Sequence, residues 1–338
     1  LASGNFYGSL SAIRTTDPFV DVVSNRRIPE GATGFNFWLQ PSGDFYRLDA
    51  DYADGKSGAV DLDADNYGGS VGFGVATGNG EIGLGFGYGH IDASSDKQPV
   101  SADGDTWMVG IYARQAFGPL TIAADLVHGW TKWDAKRALP TLARSATAEF
   151  DSKELRGDLR VEYAIPMGEN SFIAPYGQVE FRRVKFDGFT EEGAGAVNLI
   201  VDKFSKTLFT PTLGVKFGTG FDAGGTWLRP EATLSYSFGD YQTDRNVAYL
   251  GNPDEVFRLQ GVDPDGFFTG TLGLFADIGS NSGAFVRGSY STGGDGDVLG
   301  LKAGVIIGFG GSAAPVAAPP PPPPPPPPAP PPPAPEVA

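Results

Sequence analysis

The sequence predicts an all-β fold: a transmembrane antiparallel up-and-down β-barrel of about 12 strands, with a short N-terminal helical or irregular segment before it. Three observations point there. Between Gly34 and Phe309, apolar and polar side chains alternate with period 2 in long segments, the mark of strands with two different faces. The connections between these segments are short and long by turns, which is the layout of a membrane barrel with tight turns at one rim and loops at the other. No run of about 18 apolar residues occurs, so a helical crossing is excluded.

Composition removes other classes. The 338 residues include 49 glycines, 24 phenylalanines, 12 tyrosines and no cysteine, and the net charge is −15. This aromatic content is too high for a chain disordered throughout. Without cysteine there is no disulfide scaffold, thiolate metal site or thiol nucleophile. The acidic balance argues against nucleic acid, because neutralising phosphate needs a basic patch.

In chain order, the first unit is residues 1–32. Thr16, Asp17 and Pro18 look like a helix start, with a capping residue and a proline in the first turn. Phe19, Val20, Val22 and Val23 follow, and then Arg26 and Arg27, whose charges suit a helix C-terminus. The segment reads either as this short helix or as an irregular leader. The second unit, 33–310, is the barrel. Its segments fall near 34–52, 58–76, 81–95, 102–117, 119–135, 147–165, 170–187, 203–218, 226–241, 262–278, 283–292 and 297–309. Alternation is weakest between Gly239 and Phe267. Short connections such as Thr77–Gly80, Gly118–Pro119 and Gly279–Ser282 are made of turn formers. Long polar ones are expected around 92–105, 134–150, 187–203 and 240–262. The third unit, 311–338, holds 16 of the 28 prolines. It should form polyproline II with a reach of roughly 80–90 Å.

Alternation alone does not separate a soluble barrel from a membrane barrel, since the two invert their faces. The polar faces carry both signs of charge: Arg156, Asp158, Arg160, Glu162, Glu180, Arg182, Lys206, Lys216, Arg229 and Glu231. We assign these to a lumen, where they can pair. Aromatics such as Trp107, Phe117, Trp227, Tyr236 and Phe238 sit where interfacial girdles are expected. The last segment has Lys302, Gly304, Ile307 and Phe309 at positions that resemble the C-terminal assembly signal of bacterial outer-membrane proteins. Glycines 72, 74, 83, 85, 87 and 89 line one face and would make room for another segment or for strong curvature.

The opening strand Phe35–Pro41, the glycine-rich Gly68–Gly74, the run Gly83–Tyr88 and the final aromatic together resemble the autotransporter β-domain family, the translocator barrel of type V secretion. The resemblance covers about Gly34 to Phe309. It implies twelve antiparallel strands, an N-terminal helix inside the pore where Leu1–Gly31 lies, and residence in the bacterial outer membrane. The partners would then be outer-membrane lipid, lipopolysaccharide and the barrel assembly machinery. The proline-rich extension resembles instead an OmpA-type layout, in which a tail reaches peptidoglycan or a periplasmic protein. An even strand count puts both termini in the periplasm. Besides the translocator reading, a structural anchor and a porin-like channel are open.

Catalytic and metal sites find little support. Gly68–Gly69–Ser70–Val71–Gly72 has the letters of a nucleophile elbow but lies in a strand rather than at a strand-to-helix turn. His90 and His128 share the apolar parity of their strands. Asp49, Asp51, Asp54, Asp61, Asp63 and Asp65 make an acidic rim, better read as solvated charge than as a Ca²⁺ site. Gly293–Asp297 is read as a hairpin turn. We therefore expect no enzyme, no cofactor and no resident metal.

Overall fold

The computed structural model describes residues 2–19, 33–48, 61–240, 245–259, 265–278, 282–293 and 296–309. Twelve long strands form the wall: β1 (Thr33–Leu48), β2 (Leu62–Thr77), β3 (Gly80–Ser94), β4 (Val100–Phe117), β5 (Leu120–Leu139), β6 (Arg144–Tyr163), β7 (Ser171–Phe186), β8 (Phe204–Thr219), β9 (Trp227–Asp240), β10 (Asp265–Ile278), β11 (Ser282–Gly293) and β12 (Gly296–Phe309). Each pairs antiparallel with its chain neighbours. β1 also pairs with β12, from Phe35 opposite Phe309 to Leu48 opposite Gly296. The sheet is therefore closed and the wall has no free edge.

Parity sorts the side chains. Outward positions are apolar and exposed: Phe35, Phe73, Leu84, Ile111, Leu159, Leu213, Leu234, Leu272 and Leu301 among them. Inward positions are buried and polar, as at Asn36, Gln40, Thr106, Glu154, Arg156, Glu180, Arg182, Thr210 and Thr271. This is the inverse of a soluble barrel and fits a wall in contact with lipid. Trp107 and Phe117, ten residues apart on β4, both face outward. Trp227 takes the other parity and lies against Gly220, so it is not part of the outer girdle.

One rim carries the connections 77–80, 117–120, 163–171, 219–227 and 278–282, and here called the short-turn rim. Gly78 and Gly118 have φ of +87° and +60°, which glycine adopts without steric cost. The long-loop rim differs from expectation. The stretch around 134–150 is mostly strand: β5 and β6 run on to Leu139 and Arg144, joined by a 3₁₀ turn at Pro140–Leu142. The weakly alternating stretch after Asp240 contains a hairpin of Arg245–Tyr249 and Asn252–Leu259. Leu199–Val201 and Phe189–Thr190 extend it to a four-stranded sheet.

The N-terminal segment also departs from expectation. Its helix, α1, is Ala2–Ser9, followed by a 3₁₀ turn at Leu10–Ala12. Thr15–Phe19 forms turns, with the Phe19 N–H donating to the Thr16 carbonyl over 3.0 Å. The remainder of the expected helix, from Val20 to Arg27, lies outside the described residues. Asp17 itself serves tertiary partners, Tyr46 and Arg156. Phe6, Tyr7, Leu10 and Ile13 pack with Trp133, Phe150, Phe186, Leu199 and Val247. α1 is thus at the long-loop rim, between the small sheet and the inner wall. Strand parity does place Thr33 and Phe309 at one rim. Ala2–Ser9 lie at the other rim, beside the small sheet.

Candidate translocation lumen

From α1 the chain descends inside the barrel toward the short-turn rim, and each step is held by a wall residue. At the top, the Tyr7 hydroxyl donates to Glu191 Oε1 over 2.9 Å. Arg137 binds both oxygens of the same carboxylate, and the Leu199 N–H donates to it over 2.8 Å. Burial, reinforced by the adjacent Glu191 carboxylate, pushes the Tyr7 phenol far above its ordinary range. Tyr7 therefore remains a neutral donor.

Below it, Arg182 donates to the carbonyls of Ser11 and Ile13 at 3.1 and 2.5 Å. Glu154 holds that guanidinium at 2.7 Å and accepts from the Thr16 hydroxyl. Arg14 approaches Glu180 at 3.6 Å. Arg156 is the centre of the next layer, with Asp17 at 2.7 Å, Glu180 at 2.6 Å and Asp158 at 3.1 Å. Tyr46 donates to Asp17 over 2.5 Å, and Lys302 reaches the Asp17 carbonyl at 3.2 Å. Ser70 donates to the Pro18 carbonyl over 2.9 Å. Lower still, Phe19 meets Trp38 edge to face, ring centres 6.0 Å apart.

The glycine face of β2 and β3 gives room mainly to the wall's own aromatics. A Cβ on Gly72 or Gly85 would strike the Trp38 ring, and one on Gly74 or Gly83 would strike Tyr112. Gly89, Gly110 and Gly129 give way to Pro18, Phe19 and Thr16. Deeper still, Glu162 is shared by Lys216 at 2.6 Å and Arg160 at 2.9 Å. Arg160 stacks on the Tyr176 ring at 3.5 Å. Arg229 lies 3.7 Å from Asp277.

The ten lumen candidates have inward parity, but they form separate groups. Arg156, Asp158, Glu180 and Arg182 meet the N-terminal segment or its direct partners. Arg160, Glu162 and Lys216 form a lower group, with Glu231 on the same small cavity as Arg160 and Lys216. Lys206 and Arg229 lie apart. Sequence reasoning missed Glu154, which continues the parity of Arg156 and was legible. It also missed Asp17, Tyr46, Arg137 and Glu191, which no local pattern marks. Lys302 and Gly304 point inward, whereas Ile307 and Phe309 are exposed on the outer wall, Phe309 by 64%. Ser70 faces the lumen and the histidines face outward, so the wall separates them. His90 instead sits 2.8 Å from Asp105, which also accepts from Tyr88. Asp61 pairs with Lys97 at 2.6 Å. Asp49, Asp51 and Asp54 lie outside the described residues. Gly293 pairs with Gly296 in the β11–β12 hairpin; Gly294 and Asp295 between them lie outside the described residues.

A closed twelve-stranded wall, apolar outside and charged inside, with its own N-terminal chain passing through the pore, defines an outer-membrane-type translocator barrel. The sequence matches the family model of the autotransporter beta-domain over residues 37–312. The chain belongs to that family, and its barrel is an autotransporter translocator domain of the bacterial outer membrane. Among solved structures it is similar to the translocator domain of NalP from Neisseria meningitidis, at 16% identity and TM-score 0.68, covering 91% of this chain and 98% of that one. The beta domain of Bordetella Brka aligns at 16% identity and TM-score 0.59, covering 82% and 100%. The transport unit of AIDA-I from Escherichia coli aligns at 13% identity and TM-score 0.56, covering 91% and 99%. At these identities the likeness shows the shared fold. No curated protein matches the sequence.

Proposed function

We propose that the barrel anchors the chain in the outer membrane and holds, after passage, the segment that precedes β1. In this reading the long-loop rim faces outside and the short-turn rim faces the periplasm. Chain before Ala2 would then emerge at the cell surface, and chain after Phe309 would enter the periplasm. The observation that carries this reading is the course of Ala2–Phe19 down the lumen on buried ion pairs. Such a segment acts as a plug as well as a remnant of transport.

Three partner assignments go with it. The outward apolar band would contact lipid and lipopolysaccharide. Lys302, Gly304, Ile307 and Phe309 would be read by the barrel assembly machinery. The proline-rich tail would extend toward peptidoglycan or a periplasmic protein. The function is anchoring and conduction of chain, with no catalytic step.

Two experiments test this. Deleting residues 1–31 should raise single-channel conductance in planar bilayers; unchanged conductance defeats the plug. The chain has no cysteine, so single replacements give clean labels. On intact cells, an impermeant maleimide should label Thr141→Cys at the long-loop rim and spare Asn79→Cys at the short-turn rim. The opposite pattern overturns the orientation.

A further inference from the structure

Arg245, on the small sheet at the long-loop rim, is the point that the translocator function leaves unexplained. Its residue is only 3% exposed. The guanidinium lies over the Phe186 ring at 4.4 Å and beside that of Phe204 at 5.3 Å. Among the described residues, none of its three nitrogens has a hydrogen-bond partner. Burial pulls its basicity down to about 9. The contrast with Arg137, Arg156 and Arg182 is complete, since each of those is clasped by a carboxylate. A guanidinium removed from water without an acceptor is among the costliest arrangements a fold can keep. Ring stacking supports the face of the group and leaves its N–H edge unsatisfied.

That arginine lines a cavity of about 420 Å³ together with Asp202, Lys203, Phe204, Ser205, Asn246 and Arg258. The lining holds three cationic residues and one acidic one, with a serine and an asparagine. Planar guanidinium forks match the paired oxygens of phosphate-type anions. We propose that this cavity is a binding site for a phosphate-class oxyanion, with Arg245 as the buried fork and Lys203 and Arg258 at its sides. The residues come from both long connections, 187–203 and 241–264, and from the start of β8. An anion bound there would tie the small sheet to the wall beside α1. The two sources of such a group at this rim are free inorganic phosphate and the phosphorylated headgroup of an outer-leaflet glycolipid.

The test uses the full chain in detergent, with folding of every variant checked by heat-modifiable gel mobility. Inorganic phosphate is titrated by calorimetry at constant ionic strength. Mixed micelles carrying phosphorylated lipid A, or the same lipid after dephosphorylation, form the second arm. Saturable one-site binding is expected, weakened about tenfold or more in Arg245→Met, as follows from losing charge-assisted hydrogen bonds. Lys203→Gln should weaken it less. If phosphorylated lipid A binds more tightly than phosphate and loses that advantage on dephosphorylation, the source is the glycolipid. Equal affinities would identify free phosphate. No saturable binding in either arm, or binding unaltered in both Arg245→Met and the folded control Arg245→Lys, overturns the site.

Discussion

The two sides of the lumen solve the same problem differently. On the side of β1–β7, buried charges meet the N-terminal segment. Arg156 and Arg182 are each held by carboxylates and in turn hold Asp17 or the carbonyls of Ser11 and Ile13. On the side of β9–β12 hydroxyls predominate, with Lys302 reaching the Asp17 carbonyl and Arg287 lying among them. Thr269 and Ser291 are 2.8 Å apart, as are Thr212 and Ser237 where β8 meets β9. Between that wall and the segment lies a cavity of about 170 Å³, reached by Ser237, Thr269, Thr271, Ser289 and Ser291. A space of this size, partly lined by hydroxyls, has room for water. The segment is therefore bonded mainly on one flank and faces this cavity on the other. Ion pairs fix position because a separated charge is expensive in a dry site, whereas hydroxyls exchange partners with water at little cost.

The contrast can be broken most severely at Arg156. Arg156→Ala leaves Asp17, Asp158 and Glu180 without their shared cation, at a cost of about 3–5 kcal/mol. Thermal unfolding should shift down and conductance should rise toward that of the 1–31 deletion. Next in size is a test of the wall itself. Leu213 is 62% exposed on the outer face, and Leu213→Arg should cost about 2–4 kcal/mol near mid-membrane. Thr212→Arg, facing the hydroxyl-lined lumen, should cost far less in the same refolding titration, and equal costs would contradict the parity.

A smaller effect is expected where the wall packs on itself. At Gly72 a Cβ meets the Trp38 ring, so Gly72→Ala should cost about 1–3 kcal/mol by overpacking. At Gly270, on β10, the nearest atom to such a Cβ is 3.9 Å away, so Gly270→Ala should be close to neutral in the same titration. The smallest effect belongs to the flank that faces the cavity. Ser291→Ala should leave stability within about 0.5 kcal/mol and conductance unchanged. A large loss there would mean that the hydroxyl wall holds the segment as firmly as the charged one.

What could be read in advance follows from how local each feature is. The twelve strands were legible because period 2 is written within each strand; β6 shows it from Ser152 to Glu162 without help from its neighbours. The lumen charges were legible as a face for the same reason. Their pairing was not. Asp17 and Arg156 stand 139 residues apart and Tyr7 and Glu191 stand 184 apart, and only closure of the wall brings them together. The hairpin at Arg245–Leu259 was obscured because it packs on α1 at the rim rather than on lipid, so neither face needed a regular apolar stripe.

The segment in the lumen is also the lead-in to the wall that holds it. Thirteen residues join Phe19 to Thr33. A ligand on so short a tether meets its site at an effective concentration in the millimolar range or above, whatever the protein's own abundance. In the proposed plug, dilution would therefore not empty the pore. If the bonds to Arg156 and Arg182 break one at a time, the freed stretch remains beside its partners and reseals faster than a competing chain from solution can enter. If the segment plugs the pore as proposed, opening the lumen for long requires cutting the tether or pulling on it, which would make the state of the pore a matter of covalent continuity rather than of affinity.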